Sequence, residues 1–236
     1  MKKIFALSVS CLALLSVATL TLKASGNHNY EFSQDGKLVR AIDPATSITP
    51  APSVDPKLTV IAGNFSNYPL ATYFSVFGNT VAQGGTNFPF QTWVAMPCTP
   101  TANSTVTTIQ VSAGRQGSGT AGFEIGLYSD AGGIPGAVIK SVHIPGTKLP
   151  IYGECCNVAA AHLGTGIAVT AGTQYWVAVT TTASDTDIYA WAFNSTNMTA
   201  QPAASWCSGP TTYCGTNSGK WVPYSYVQLG FRVLGS

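Results

Sequence analysis

Charge is scarce in this chain: Asp, Glu, Lys and Arg make up 8% of its 236 residues. Three of the 11 Lys and Arg (Lys2, Lys3 and Lys23) fall within the first 24 residues, leaving eight cations against nine acids in the remainder. A near-neutral chain with no Lys or Arg cluster lacks the footprint of a nucleic-acid binder or of a protein that adheres to anionic membrane surfaces. Histidine is as sparse. His28, His143 and His162 are not at ligand spacing and no CxxC pair occurs, so no structural zinc site is expected. HExxH and GxSxG are both missing, which removes the usual signatures of a zinc hydrolase and of a serine hydrolase with a nucleophile elbow. No segment carries a 3.6-residue apolar period, and no repeat of fixed length is present, which disfavours helical bundles, propellers and solenoids.

Only one long uncharged apolar run exists, from Ile4 to Leu22, and it follows Met1, Lys2 and Lys3. A basic start before such a run is the pattern of a Sec signal peptide, expected over residues 1–24 with cleavage after Ala24 or after Ala18. The mature protein is then secreted, extracellular or periplasmic, and has no membrane segment once the signal is removed. Residues 25–57 hold few apolar residues and include Pro44, Pro50, Pro52 and Pro56, so they read as a linker or extended arm. The folded domain is expected over 58–236.

What is abundant there is strand pattern and turn chemistry. Phe123, Ile125 and Leu127 alternate with Glu124, Gly126 and Tyr128, the period of a strand with one buried face. Asp130, Gly132, Gly133, Pro135 and Gly136 follow, a set that folds the backbone back on itself. Similar reasoning places strands at Leu58–Ala62, Ala71–Phe77, Phe90–Ala95, Thr105–Ala113, Gly122–Ser129, Ala137–Ile144, Gly166–Thr170, Gln174–Thr182, Ile188–Phe193 and Val227–Leu234. About ten short strands separated by Gly, Pro, Asn and Ser predict an all-β fold, a two-sheet antiparallel β-sandwich of jelly-roll type, as a single domain after the signal peptide and linker.

The phrase IGLYSDAGGIPGAVI, followed by TAGTQYWVAV, resembles the β-sandwich called a choice-of-anchor domain, found in many secreted bacterial proteins. The likeness spans roughly Val106 to Phe193. It implies a sandwich fold and an extracellular setting but no particular activity, and no basic or apolar sorting tail follows the last strand here.

Beyond Cys11 in the signal, five cysteines remain: Cys98, Cys155, Cys156, Cys207 and Cys214. Cys207 and Cys214 bracket a Gly- and Pro-containing segment able to turn back, so a disulfide is expected there, contributing about 2 kcal/mol on the chain-entropy model. Cys98 is expected to bridge to Cys155 or Cys156, with Cys156 taken as its partner; a vicinal Cys155 to Cys156 disulfide is the alternative.

Among candidate functional residues, Tyr189, Trp191 and Phe193 alternate along one strand, roughly 7 Å apart, a pitch suited either to core packing or to stacking sugar rings. Trp206, Tyr213, Trp221, Tyr224 and Tyr226 cluster around the expected disulfide, and Trp191, Trp206, Tyr213, Trp221 and Tyr224 form the candidate ligand surface. No metal or cofactor is expected; Asp130, Asp185 and Asp187 are weak calcium candidates, a pattern that more often forms turns. Glu124, Asp130, Glu154, Asp185 and Asp187 are the acids available to a glycoside-hydrolase pair. The expectation is a secreted, non-catalytic module with a structural, assembly or surface-interaction role. The alternative is a carbohydrate-binding module stacking sugars on loop aromatics, and a glycoside hydrolase comes third. Partners expected are a polysaccharide or other cell-surface polymer, or a second copy of the chain.

Overall fold

The computed structural model describes residues 21–24, 28–32, 38–41, 48–50, 55–65, 72–82, 90–116, 121–149, 151, 158–181, 188–194 and 200–236. The body of the expected signal peptide, along with Cys155, Cys156, Glu154, Asp185 and Asp187, lies outside them. Among the described residues, seventeen strands appear in chain order: β1 Thr21–Ala24, β2 His28–Phe32, β3 Leu38–Ala41, β4 Ile48–Pro50, β5 Thr59–Gly63, β6 Thr72–Ala82, β7 Gln91–Cys98, β8 Ser104–Val111, β9 Ala113–Gln116, β10 Phe123–Asp130, β11 Pro135–Ile144, β12 Ala159–Val169, β13 Tyr175–Thr180, β14 Ile188–Asn194, β15 Ala200–Ser208, β16 Lys220–Val227 and β17 Phe231–Gly235. The fold is an all-β sandwich of two antiparallel sheets, one of them curled.

The larger sheet runs β11-β10-β13-β7-β6-β14-β9, with β4 attached to β6 and the hairpin β15–β16 attached to β7. The smaller runs β12-β8-β17-β5. Strands β1, β2 and β3 form a separate three-stranded sheet upstream, and β4 comes from the expected arm to pair with β6. Alternation decides what lies between the sheets. Phe123, Ile125 and Leu127 of β10, Val94 and Met96 of β7, and Val177 and Val179 of β13 meet Val106, Ile109 and Val111 of β8 and Phe231 and Val233 of β17 in one apolar core.

Trp191 lies in that core with no exposed surface; its indole Nε1 donates to the Gly230 carbonyl at 2.9 Å and its ring meets Phe231 edge-on. Its strand also carries fully buried Tyr189, whose hydroxyl accepts from the Gly122 amide. Of the two roles open to Trp191, packing is the one the structure realises.

Several elements depart from expectation: β12 begins at Ala159 rather than Gly166, and β1–β4, β9 and β15 fall where no strand was expected. The stretch 206–226, read from sequence as an irregular loop, is instead the core of the hairpin β15–β16, with Trp206 opposite Trp221. The last strand begins at Phe231 rather than near Val227, because Val227 still pairs with Ala200 at the hairpin base.

Candidate functional site

The outer face of the large sheet positions the site. By strand alternation, Ala95 and Pro97 of β7 project away from the core, as do Trp176 and Ala178 of β13 and Tyr128 of β10, while half-buried Trp93 of the same face also packs against the main core. Hairpin β15–β16 presents Ala204, Trp206 and Trp221 to the same region: Ala95, Tyr128, Trp176, Ala178 and Ala204 form a second, smaller apolar cluster against which Trp221 packs. Trp206 stacks on Trp93, with ring centroids 3.8 Å apart and planes 13° from parallel. Trp221 meets Trp93 at 6.2 Å and Tyr128 at 6.5 Å.

Beside this cluster lies a cleft of about 500 Å³, lined by Pro97, Gly133, Gln174, Trp176, Pro202, Ala203, Pro223, Tyr224 and Ser225. Its lining brings together the turn after β10, the start of β13, the end of β7 and the hairpin. The wall formed by Gly133, Gln174 and Trp176 has a single organiser. The Asp130 carboxylate accepts from Trp176 Nε1 at 2.7 Å, from Gln174 Nε2 at 2.7 Å, and from the Gly132 and Gly133 amides at 3.1 and 3.2 Å. Gly132 and Gly133 adopt φ of +74° and +91°, which L residues rarely adopt, so their amides turn inward to the carboxylate as only this backbone allows. These donors, Trp176 foremost, hold the Asp130 carboxyl below the ordinary carboxylate range.

A smaller cleft of about 170 Å³ lies along the same hairpin, lined by Thr92, Ser205, Trp206, Cys207, Tyr213, Cys214, Asn217, Lys220, Val222 and Tyr224. Here the hairpin connection is folded into a helical turn at Thr211–Cys214 followed by a 3-10 turn at Gly215–Asn217. A Cys207–Cys214 disulfide ties that connection to β15, as expected from sequence. Tyr213 stacks on Phe90 with centroids 4.9 Å apart, which fixes the loop over the sheet. Tyr224 borders both clefts and is 36% exposed; Tyr213 is 38% exposed.

The five candidate ligand residues therefore divide. Trp206, Tyr213 and Tyr224 converge on the smaller cleft, and Tyr224 also on the larger. Trp191 is interior, and Trp221 lines neither cleft because its ring is committed to Tyr128 and Trp93. Sequence reasoning missed Gln174, Trp176, Pro97, Pro202 and Pro223. The signal for the first two was present in the phrase TAGTQYWVAV, where a strand begins with donors able to reach a neighbouring turn.

Cys98 corrects the expected bridge to Cys156: it is a free thiol. It sits on the core face of β7 with Val94 and Met96, and burial pushes its pKa up to about 12. Asp130, a weak calcium candidate, has its oxygens occupied by the donors of its own turn and of β13. Among the described residues, no three His, Cys, Asp or Glu are grouped to hold a metal ion. Glu124 pairs with His143 Nδ1 at 3.1 Å across β10 and β11. Glu124 and Asp130 stand six residues apart on one strand, roughly 20 Å at strand rise, well beyond the separation of a glycosidase acid pair. Against known proteins, the chain matches no family model, no curated protein and no solved structure.

Proposed function

We propose that this chain is an exported, non-catalytic surface-interaction module that binds an uncharged polysaccharide in the larger cleft. The observation that carries the reading is the lining itself. It combines exposed Tyr224 and three proline rings with the amide of Gln174 and the hydroxyl of Ser225, and among the described residues no charged side chain lines it. Flat apolar surface beside a few neutral hydrogen-bonding groups complements a pyranose, whose CH face is apolar and whose rim is hydroxylated. A volume near 500 Å³ falls within the range of ordinary ligand sites. Export fits the amino-terminal signal pattern, the disulfide and the resemblance to choice-of-anchor sandwiches, since disulfides persist in oxidising compartments.

Retention on insoluble cellulose, xylan, mannan and chitin tests the reading. One of these polymers is expected to retain the protein, and Tyr224→Ala is expected to weaken retention roughly tenfold, the scale of a lost aromatic contact, with an unchanged melting temperature. No retention on any polymer at high protein concentration overturns the proposal, as does full retention of the Tyr224→Ala variant.

A second reading, assembly by strand addition, is favoured by one feature. Strand β11 ends the large sheet and pairs only with β10 among the described strands, while exposing Val138 at 54% and Ile139 at 38%. An edge of this kind accepts a strand from another chain. Light scattering at rising concentration decides it: oligomers dissolved by Val138→Lys support assembly, and a monomer throughout eliminates it.

A further inference from the structure

One wall of the larger cleft has its hydrogen-bond donors drawn away from the ligand space. The only side-chain donor of Trp176 is its Nε1–H, and it is spent on Asp130 at 2.7 Å. The Gly133 amide goes to the same carboxylate at 3.2 Å, and one N–H of Gln174 goes there at 2.7 Å. Asp130 is not among the residues that line the cleft, although Gly133, Gln174 and Trp176 all are. Pro97, Pro202 and Pro223 add lining without any backbone N–H. The half-buried Gln174 amide is oriented by the chemistry of its partner. An ionised carboxylate only accepts, so the nitrogen faces Asp130 and the carbonyl oxygen Oε1 is the end left to the cleft. Among the described residues, Oε1 accepts from none.

We infer that Gln174 is the specificity-determining residue of the larger cleft, its Oε1 selecting sugar units with a free hydroxyl and rejecting the same units when that hydroxyl is etherified or esterified. This selectivity rests on the polysaccharide reading of the cleft and narrows it to unsubstituted glycans. A free hydroxyl donates to Oε1. An O-methyl or O-acetyl group has lone pairs alone, so it sets acceptor against acceptor and leaves Oε1 covered and unpaired. A carboxylate or sulfate at that place is refused for the same reason, and no cation among the described lining residues offsets it.

Calorimetry with cello-, xylo-, manno- and chitohexaose, each beside its O-methylated form, tests the assignment. For the series that binds, methylation is expected to lower affinity at least about tenfold, the scale of an acceptor buried without a donor. Methyl groups also add bulk, and Gln174→Met separates the two causes because it keeps the side chain's length without a strong acceptor. It should bind the free hexaose roughly tenfold more weakly and the methylated one as the wild type does. Gln174→Glu keeps an oxygen in place but sets two carboxylates in contact. Its affinity should be low at neutral pH and recover as pH falls and the pair comes to share a proton. Circular dichroism checks the fold of both variants, and if Gln174→Met binds neither form the pH profile of Gln174→Glu decides. Wild-type affinity indifferent to methylation, a methylation penalty undiminished in Gln174→Met, or a flat pH profile in Gln174→Glu overturns the role of Gln174 alone. Absence of binding to every unmodified hexaose instead removes the polysaccharide reading on which it stands.

Discussion

The carboxylate of Asp130 is solvent-exposed, yet it holds three lining residues of the larger cleft in place: Gly133, Gln174 and Trp176. Replacing it by Ala frees the Trp176 indole N–H, in a ring only 1% exposed, and releases the turn. Asp130→Ala is therefore expected to lower ligand affinity roughly tenfold, the scale of hydrogen bonds to a charged acceptor. Calorimetry measures it, beside a circular dichroism spectrum that stays native. The pH dependence has a fixed sign. Because the folded carboxyl is held below its ordinary value, its contribution is complete above about pH 4 and is lost only as pH falls through the lowered value. Binding should thus stay level from neutral pH down to the ordinary carboxylate range and fall below it. Trp191 behaves differently. As an interior side chain, Trp191→Ala is expected to cost about 3–5 kcal/mol of stability in denaturant unfolding, whereas Tyr224→Ala at the surface should move it by no more than about 0.5 kcal/mol.

At the scale of elements, the hairpin β15–β16 supplies most of the site and was the element least legible in the sequence. Strands such as β10 and β13 announce themselves because their core-facing residues are Phe, Ile, Leu and Val on alternate positions. The hairpin reads AQPAASWCS and KWVPYSYV, with a proline in each strand. Proline is tolerated where a strand is an edge or branch and its amide has no ladder partner, and a branch of this kind carries no clean apolar alternation to find. The disulfide was legible because short Cys spacing around Gly and Pro is a local signal. The state of Cys98 was not, because whether it meets a partner depends on which face of β7 the sulfur takes, and here it faces the core as a free thiol. Removing the Cys207–Cys214 bridge by a double Ser substitution is expected to cost about 2 kcal/mol, read from the shift in urea midpoint.

Over the whole molecule, the two phrases that most strongly mark the chain as a sandwich turn out to meet at its site: Asp130 of the first is bonded to Gln174 and Trp176 of the second. Fold and cleft are thus built by the same side chains, which is why the sequence made the scaffold plain while the cleft emerged only once the strands were paired. That dependence on distant pairing reaches its limit in β17. It lies between β8 and β5 in the small sheet, and Gly235 accepts from the hydroxyl of Thr59, 176 positions away. All five residues of β17 are buried, including Arg232, whose Nε donates to Gln110 at 2.6 Å. Without this strand, β5 has no neighbour in its sheet, and Ile109, Val111 and the Trp191 ring lose apolar cover. Deletion of residues 231–236 is therefore expected to abolish cooperative thermal unfolding and to expose a dye-binding apolar surface. Removal of residues through 47, which leaves β4 on β6, should keep a single transition. A cooperative transition in the carboxy-terminal deletion, seen by calorimetry, would show that the two sheets can close without their most distant pairing.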